Sequence, residues 1–313
     1  MYLIKQIPAA RRGIKSQPKG LHLRISATIA LMGLTVSQAA FSQANIPPVA
    51  CDARLYISQG NGGPTSLYYS NGSLPLSFAL QGNAPAGVQY NALGMSPAGL
   101  MYAMNAGDNV LLQINPANGS VSTLGPVTGL PAASYNSGTF STAGTYYVKP
   151  FGNTSVIYAV DISAQTASAI QLVNAAANPA PFTASDLAWA SGGLYATDDA
   201  GQLHSIDVAT GRVTDIGTAD ATGGVLGAQF GFTDGLFGAA NDGSGYYQIN
   251  LATGQRTRLS TAPPATSNDG ANCPSAAFAA VKPAPAPIPT LGHWALMLLA
   301  GLMGLTGLRR LRT

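Results

Sequence analysis

The side chains that could support catalysis are few and scattered. Between residues 45 and 287 the chain has one histidine, His204, and every acidic residue is an aspartate because the sequence contains no glutamate. A histidine can act as a general base and paired carboxylates can cleave glycosidic bonds, but neither has a partner at a recognisable spacing. The patterns GxSxG, HExxH and GxxxxGK are absent. We therefore expect no catalytic residue and a structural or solvated His204.

The aspartates occur mainly in glycine-containing segments. Asp198-Asp199-Ala-Gly and Asn241-Asp242-Gly-Ser-Gly have the composition of tight turns, and a calcium loop with ligands at alternating positions is absent. Asn268-Asp269-Gly is a similar segment that could place Asp269 near the mouth of a channel. We expect no metal site and no cofactor, but aspartates distant in sequence could still converge in the folded chain.

The elements that must position these side chains form a repeat. Residues 91–125, 185–217 and 227–260 share one order of features: an apolar strand, a glycine turn, an aromatic strand, a polar turn, and a strand ending in Ile-Asn or Ile-Asp. Residues 135–172 follow this order more loosely. A unit of about 45 residues with about four short strands corresponds to one blade of a β-propeller. Two sets of markers recur every 42–48 residues, namely the turn-opening Asn71, Asn115, Asp161, Asp207 and Asn250 and the aromatic Tyr56, Tyr102, Tyr147, Tyr195 and Phe237.

The five markers predict an all-β, five-bladed β-propeller with four-stranded blades over residues 45–281. The first unit begins at Cys51 without its innermost strand, and we expect residues 273–281 to supply it. The C-terminal strand would then complete blade one and remove an open sheet edge. This closure would bring Cys51 beside Cys273, the only two cysteines, which should form a disulfide in an oxidising compartment. The alternative is two free thiols.

The same region resembles a bacterial secreted propeller-like domain family of unknown function. The resemblance covers most of residues 51–275 and implies a fold without an activity. It is carried by YNALG (90–94), LLQINPANGSVSTLGPVTGLP (111–131), YNSGTF (135–140), IDVATGRVTDIG (206–217) and SNDGANC (267–273).

The first 44 residues have the organisation of a secretory signal peptide. Six basic residues before residue 25 precede an apolar stretch at 25–36 and small residues that end with Ala44. We predict cleavage after Ala44, with Ala39 as a second possible site. The alternative is a retained membrane anchor.

The C-terminal residues 291–313 predict a transmembrane helix with a basic tail. The apolar positions 291–308, at about 1.5 Å per residue, would span about 27 Å, just enough for a hydrocarbon core. Arg309, Arg310 and Arg312 follow and should stay cytoplasmic, so the preceding chain should face outward. Residues 282–290 contain a proline-rich spacer that should be extended.

The tetrad Ile288-Pro289-Thr290-Leu291, followed by the apolar segment and the arginines, resembles the IPTL-type C-terminal sorting signals of Gram-negative bacteria. The resemblance implies that a membrane transpeptidase of the exosortase type cuts near Pro289–Thr290. The anchor in the inner membrane would then be temporary, and the protein would pass to the cell surface or extracellular matrix. The alternative is a permanent single-span anchor.

These features together predict an exported, non-enzymatic propeller that binds polysaccharide, another surface protein or the matrix, or has a structural role. Nucleic acid is not an expected partner because residues 45–287 hold six basic residues against all 12 aspartates. In the tyrosine pairs at 68–69, 146–147 and 246–247 we expect one ring packed between blades and one exposed to a sugar or protein. The alternative is a hydrolase or lyase acting on extracellular polysaccharide. It would need two aspartates about 5–9 Å apart at the channel mouth, beside His204 or Arg54.

Overall fold

The computed structural model describes residues 46–60 and 62–278, which form a five-bladed, all-β propeller with four-stranded blades. Within these residues, no helix is long and apolar enough to span a membrane. The predicted signal peptide, transmembrane helix and domain boundaries lie outside the described residues. Blade 1 contains β1 (Leu55–Gln59), β2 (Ser66–Ser70) and β3 (Ala79–Asn83); blade 2 β4 (Tyr90–Met95), β5 (Met101–Asn105), β6 (Val110–Ile114) and β7 (Val121–Pro126); blade 3 β8 (Tyr135–Phe140), β9 (Tyr146–Pro150), β10 (Val156–Asp161) and β11 (Thr166–Gln171); blade 4 β12 (Ala188–Ala190), β13 (Gly193–Thr197), β14 (Leu203–Asp207) and β15 (Arg212–Ile216); and blade 5 β16 (Leu226–Phe232), β17 (Gly235–Ala240), β18 (Tyr246–Ile249) and β19 (Arg256–Ser260).

The last strand, β20 (Asn268–Ala271), returns to blade 1 and closes the ring. It pairs antiparallel with β1, and Gln59 lies opposite Asn268. The predicted closure by a C-terminal strand is therefore confirmed. Its predicted position at residues 273–281 is wrong, because the strand ends before Cys273. The apolar run after Cys273 resembles a strand, whereas the true strand is short and polar because its side chains face the propeller axis.

The turn between the third and fourth strand of every blade has the same side-chain hydrogen bond. The side-chain oxygen of the turn-opening residue accepts the backbone N–H of the residue two positions later. This geometry explains why only Asn and Asp occupy the marker positions, since a short polar side chain can close such a turn. The donors are Ser73 to Asn71, Ala117 to Asn115, Ser163 to Asp161, Ala209 to Asp207 and Ala252 to Asn250.

The aromatic markers lie on the second strand of each blade, as the repeat register predicts. Most of the core lies between blades, so both faces of the inner strands are covered. The expectation that one ring of each tyrosine pair is exposed is therefore wrong for two of the three pairs. Tyr146 and Tyr147 are both buried, as are Tyr246 and Tyr247, while Tyr68 and Tyr69 are half-buried.

The innermost strands β4, β8, β12, β16 and β20 meet around the axis with glycines at their contacts. A Cβ on Gly138 would overlap the carbonyl of Ala92 on the neighbouring blade. A Cβ on Gly231 would overlap the carbonyl of Trp189 in the same way. The backbones of adjacent blades therefore approach closely, which leaves little room along the axis.

Candidate functional site

The closure of the ring carries a covalent link. Cys51, just before β1, forms a disulfide with Cys273, just after β20, and the two Cα atoms are 5.2 Å apart. The predicted pairing is confirmed. The bond joins the two strands whose pairing closes the ring, and it spans a sequence separation of 222 residues.

Two aspartates from opposite parts of the chain meet beside the axis. Asp186 precedes β12 and Asp269 lies in β20, and both have an exposed fraction of 0%. Asp186 Oδ1 accepts the Leu187 N–H at 2.6 Å, and its Oδ2 accepts the N–H groups of Gln229 at 2.6 Å and Gly270 at 3.0 Å. Three strands from three blades thus converge on one carboxylate.

The two carboxyl groups also interact directly, and both are raised in pKa. Burial raises the pKa of Asp186, although the hydrogen bond from Asp269 and three backbone N–H groups oppose the shift. Burial and the neighbouring Asp186 charge raise the pKa of Asp269 well above its usual range. Two carboxylates this close cannot both ionise at low cost, so they share one proton. Asp269 holds it, because Asp186 has the N–H donors that favour its charged form.

This acid pair does not form the arrangement that would indicate a hydrolase. The two carboxyls touch each other beneath the surface, without space for a substrate between them. His204 lies on β14, the third strand of blade 4, away from the axis. Arg54 lies before β1, where it pairs with Asp52 at 2.9 Å. None of the predicted partners stands beside the pair.

A cavity of about 470 Å³ opens where the innermost strands begin. All five blades contribute to it, and none of its described lining residues carries a charged side chain. Asn268 and Ser185, in its wall, directly precede Asp269 and Asp186, so the acid pair lies next to this cavity, which we call the mouth. It is lined by Gly60, Gly62, Thr65, Gln89, Tyr90, Asn91, Ala106, Ser134, Tyr135, Asn136, Phe151, Ser185, Asn241, Ser267 and Asn268.

Amide oxygens in the mouth lack hydrogen-bond donors. Asn136 donates through Nδ2 to the Ala184 carbonyl at 3.0 Å, but within the described chain its Oδ1 has no partner. Asn241 Oδ1 likewise has no partner there. A Cβ on Gly227 would overlap both Asn241 Oδ1 and Asn268 Oδ1, so these two oxygens approach the same point. The ring of Phe151 stands at the rim with 71% of the residue exposed.

His204 lies in a second cavity, of about 660 Å³, formed on the outer strands of blade 4 and the loops before it. Its Nδ1 is 2.9 Å from Asp215 Oδ1, and its Nε2 is 3.5 Å from Asp198 Oδ2. The ring also packs against Phe182, with the centroids 4.8 Å apart. Both ring nitrogens therefore face carboxylates, which fixes the imidazole in place. Groups of three or more His, Cys or acidic residues able to hold a metal do not occur among the described residues.

Lys149 lies next to this second cavity and is fully buried. Its Nζ donates to the carbonyls of Gly152 at 2.8 Å and Pro150 at 3.2 Å, and lies 5.4 Å from the centre of the Phe182 ring. Burial lowers the pKa of Lys149 to about 8, and the charge of Asp199 opposes this shift. The ammonium group fastens a loop of blade 3 through these carbonyls.

The predicted turns occur where the sequence placed them. Asp198 Oδ1 accepts the N–H groups of Ala200 and Gln202, and Asp242 Oδ1 accepts the N–H of Ser244. The acid pair was not predicted, yet the repeat alignment contains a signal for it. Asp186 and Asp269 both stand at the start of an innermost strand, where blades 2 and 3 have YNALG and YNSGTF. The residues of the predicted processing sites, Ala44 and 288–312, lie outside the described residues.

Family comparisons cover both the propeller and the C-terminus. A model described as a repeat of unknown function (DUF6923) matches residues 56–275, more than half of the chain. The IPTL-CTERM motif matches residues 286–313, which confirms the predicted sorting signal. This motif and the propeller fit an exported protein directed to the cell surface. No curated protein matches the chain.

Similar solved structures include proteins with unrelated names. Virginiamycin B lyase from Staphylococcus aureus is 14% identical, with 66% of this chain and 73% of that chain covered and a TM-score of 0.41. A chain of a nidogen/laminin complex is 11% identical, with 71% and 99% covered and a TM-score of 0.47. A streptogramin B lyase is 13% identical, with 71% and 72% covered and a TM-score of 0.42. Similarity of this extent assigns no activity to this chain.

Proposed function

The chain belongs to the DUF6923 repeat family, and we propose that it is an exported protein whose propeller binds at the cell surface or in the extracellular matrix without catalysing a reaction. The sorting motif at residues 286–313 supports export. The disulfide between Cys51 and Cys273 supports it independently, because such bonds persist in oxidising compartments.

Delivery would depend on the C-terminus. A transpeptidase of the exosortase type would act near Pro289–Thr290, while the apolar segment 291–308 and its arginines hold the chain in the inner membrane. The proline-rich spacer would keep the propeller away from the bilayer until cleavage. The mature protein would then be the propeller with a short tail.

The observation that carries the binding role is the mouth. It is open and polar without charged side chains, and it contains amide oxygens that lack donors. A volume of about 470 Å³ lies within the range of roughly 300–1,000 Å³ that is usual for small-ligand sites. The only carboxyls next to it are buried and hydrogen-bonded to each other and to the backbone, which suits a structural role.

This role is tested by sedimenting the full-length protein, purified in detergent, with extracellular material isolated from the native cells. We expect co-sedimentation that saturates and that decreases for Ala106→Trp, because Ala106 is exposed at the mouth and a larger ring would fill it. The matched control is Leu80→Ala, at a side chain that is 55% exposed and outside the mouth. Absence of saturable binding would contradict the proposal.

A hydrolase or lyase acting on extracellular polysaccharide is the second candidate, and His204 favours it. The contact between His204 Nδ1 and Asp215 is the geometry that orients a general base. Its Nε2 faces Asp198, however, where a substrate would have to bind. Incubation of the full-length protein with polysaccharides, followed by detection of new reducing ends or unsaturated ends, tests this candidate. Product formation that His204→Ala abolishes would favour the enzyme over the binding protein.

A further inference from the structure

We propose that the mouth binds a neutral, hydroxyl-rich sugar residue, with Phe151 as the stacking surface and the amide oxygens of Asn136 and Asn241 as acceptors. This inference rests on the proposed function and names the ligand class for the same site. It is carried by three features: oxygens without donors, an exposed ring beside them, and the pattern of charge.

The unpartnered oxygens require a ligand that donates hydrogen bonds. Asn136 Oδ1 and Asn241 Oδ1 are shielded from solvent without a partner among the described residues, which is costly for a buried acceptor. Asn268 Oδ1 lies close to Asn241 Oδ1 over Gly227, where no side chain intervenes. A sugar hydroxyl can donate to one such oxygen and accept from a neighbouring N–H. Several hydroxyls on one ring could therefore satisfy several amides at once.

Phe151 provides the apolar part of the site. With 71% of the residue exposed, it is the most exposed of the large hydrophobic residues in the described chain. Its own backbone N–H donates to the Ser134 carbonyl at 2.8 Å, which fixes the base of the ring at the rim. A rigid aromatic face beside polar groups fits a ligand with an apolar C–H face and hydroxyls at its edge.

The charge pattern selects against ionic ligands. The mouth lining has no cationic side chain that could pair with a uronic acid or phosphate. The acid pair behind Ser185 and Asn268 shares one proton and so retains one negative charge, which repels anions. A calcium ion would usually take carboxylate ligands, and the lining offers none. A neutral sugar avoids both problems.

The test is calorimetric titration of the full-length protein in detergent with neutral oligosaccharides of hexoses and N-acetylhexosamines. Uronic-acid oligosaccharides are titrated in parallel, and the series is repeated with a calcium chelator. We expect neutral oligosaccharides to bind in either condition. Phe151→Ala and Asn241→Ala should each weaken binding roughly three- to tenfold, the effect of losing one stacking contact or one hydrogen bond. Leu80→Ala should bind like the unmodified protein.

The outcomes separate this inference from the proposed function. Preference for uronic acids, a need for calcium, or unchanged binding by Phe151→Ala would each overturn the sugar assignment. If no oligosaccharide binds but the protein still sediments with extracellular material, the sugar assignment fails and the binding function stands. If neither is observed, both fail. Should Asn241→Ala fold poorly, Phe151→Ala still decides, because its side chain is exposed.

Discussion

The acid pair of Asp186 and Asp269 is the most informative feature at the scale of single residues. Asp186 collects backbone N–H groups from β16 and β20 in addition to its own neighbour Leu187. It therefore ties the closing strand to blades 4 and 5. The cost is a shared proton in a buried site, which links the stability of the ring to pH.

The unfolding free energy should fall as the pH rises. Both folded pKa values lie above the ordinary aspartate value of about 3.9, so the folded state keeps protons that the unfolded state has released. The stabilising contribution is complete below about pH 4 and is lost as the pH passes through the folded values. Denaturant titrations at several pH values measure this decline. Stability that rises across neutral pH would contradict the shared proton, provided that Lys149, which contributes the opposite slope above about pH 8, is replaced by Met.

Replacing the two aspartates by asparagine should have unequal effects. In Asp269→Asn the amide stays neutral at every pH and can donate to Asp186, so the decline with pH should become smaller. In Asp186→Asn one or more backbone N–H groups lose their acceptor, which should cost about 1–3 kcal/mol of unfolding free energy. Chemical denaturation of both variants at one pH measures the difference. Equal effects would show that the proton is not held by Asp269.

The single-residue predictions succeeded where a side chain acts locally. Asn71 and Asp207 open their turns because the bond reaches only two residues along the chain. The acid pair could not be predicted in the same way, because Asp186 and Asp269 meet only after five blades have closed. The mouth depends on the same closure. Its amides come from blades whose sequence order gives no distance between them.

At the scale of elements, the innermost strands determine how tightly the ring closes. Glycines occupy their contacts, and the absence of Cβ atoms lets neighbouring backbones touch. The register of the outer three strands of each blade was predictable from aromatic and turn markers, because these positions repeat. The closing strand was not, because Asn268–Ala271 has no apolar alternation: its side chains face the axis and the neighbouring blades.

Gly231→Ala should therefore destabilise the propeller. The new Cβ would overlap the backbone carbonyl of Trp189, and backbone cannot rotate away, so β12 and β16 must separate at a cost of about 1–3 kcal/mol. Gly63→Ala is the control, because nothing lies within 4 Å of its Cβ and its φ is ordinary. Thermal and denaturant unfolding compare the two. Equal stability of both variants would mean that the inner strands are more loosely packed than described.

At the scale of the whole molecule, the ring is held at one seam by β20 and the disulfide. Cross-linking residues 222 apart removes much of the freedom of the unfolded chain. By the chain-entropy model, this stabilises the protein by about 4–5 kcal/mol. The closure was predictable because an incomplete first unit and a pair of cysteines stood at opposite ends of the repeat.

Reduction, or the double substitution of Cys51 and Cys273 by Ser, should therefore lower the unfolding free energy by several kcal/mol. Denaturant titration with and without reductant measures it, and the double variant should become insensitive to reductant. A reductant effect of the same size in the double variant would show that the stabilisation does not come from this bond.

The central claim is that the chain is exported and sorted through its C-terminus, and mass spectrometry of terminal peptides from fractionated native cells tests it most directly. We predict a surface or matrix form that begins near Asn45 and ends near Pro289. Recovery of the surface form with a peptide extending through Arg310, or of the protein only in the cytoplasm with its first residues intact, would contradict it.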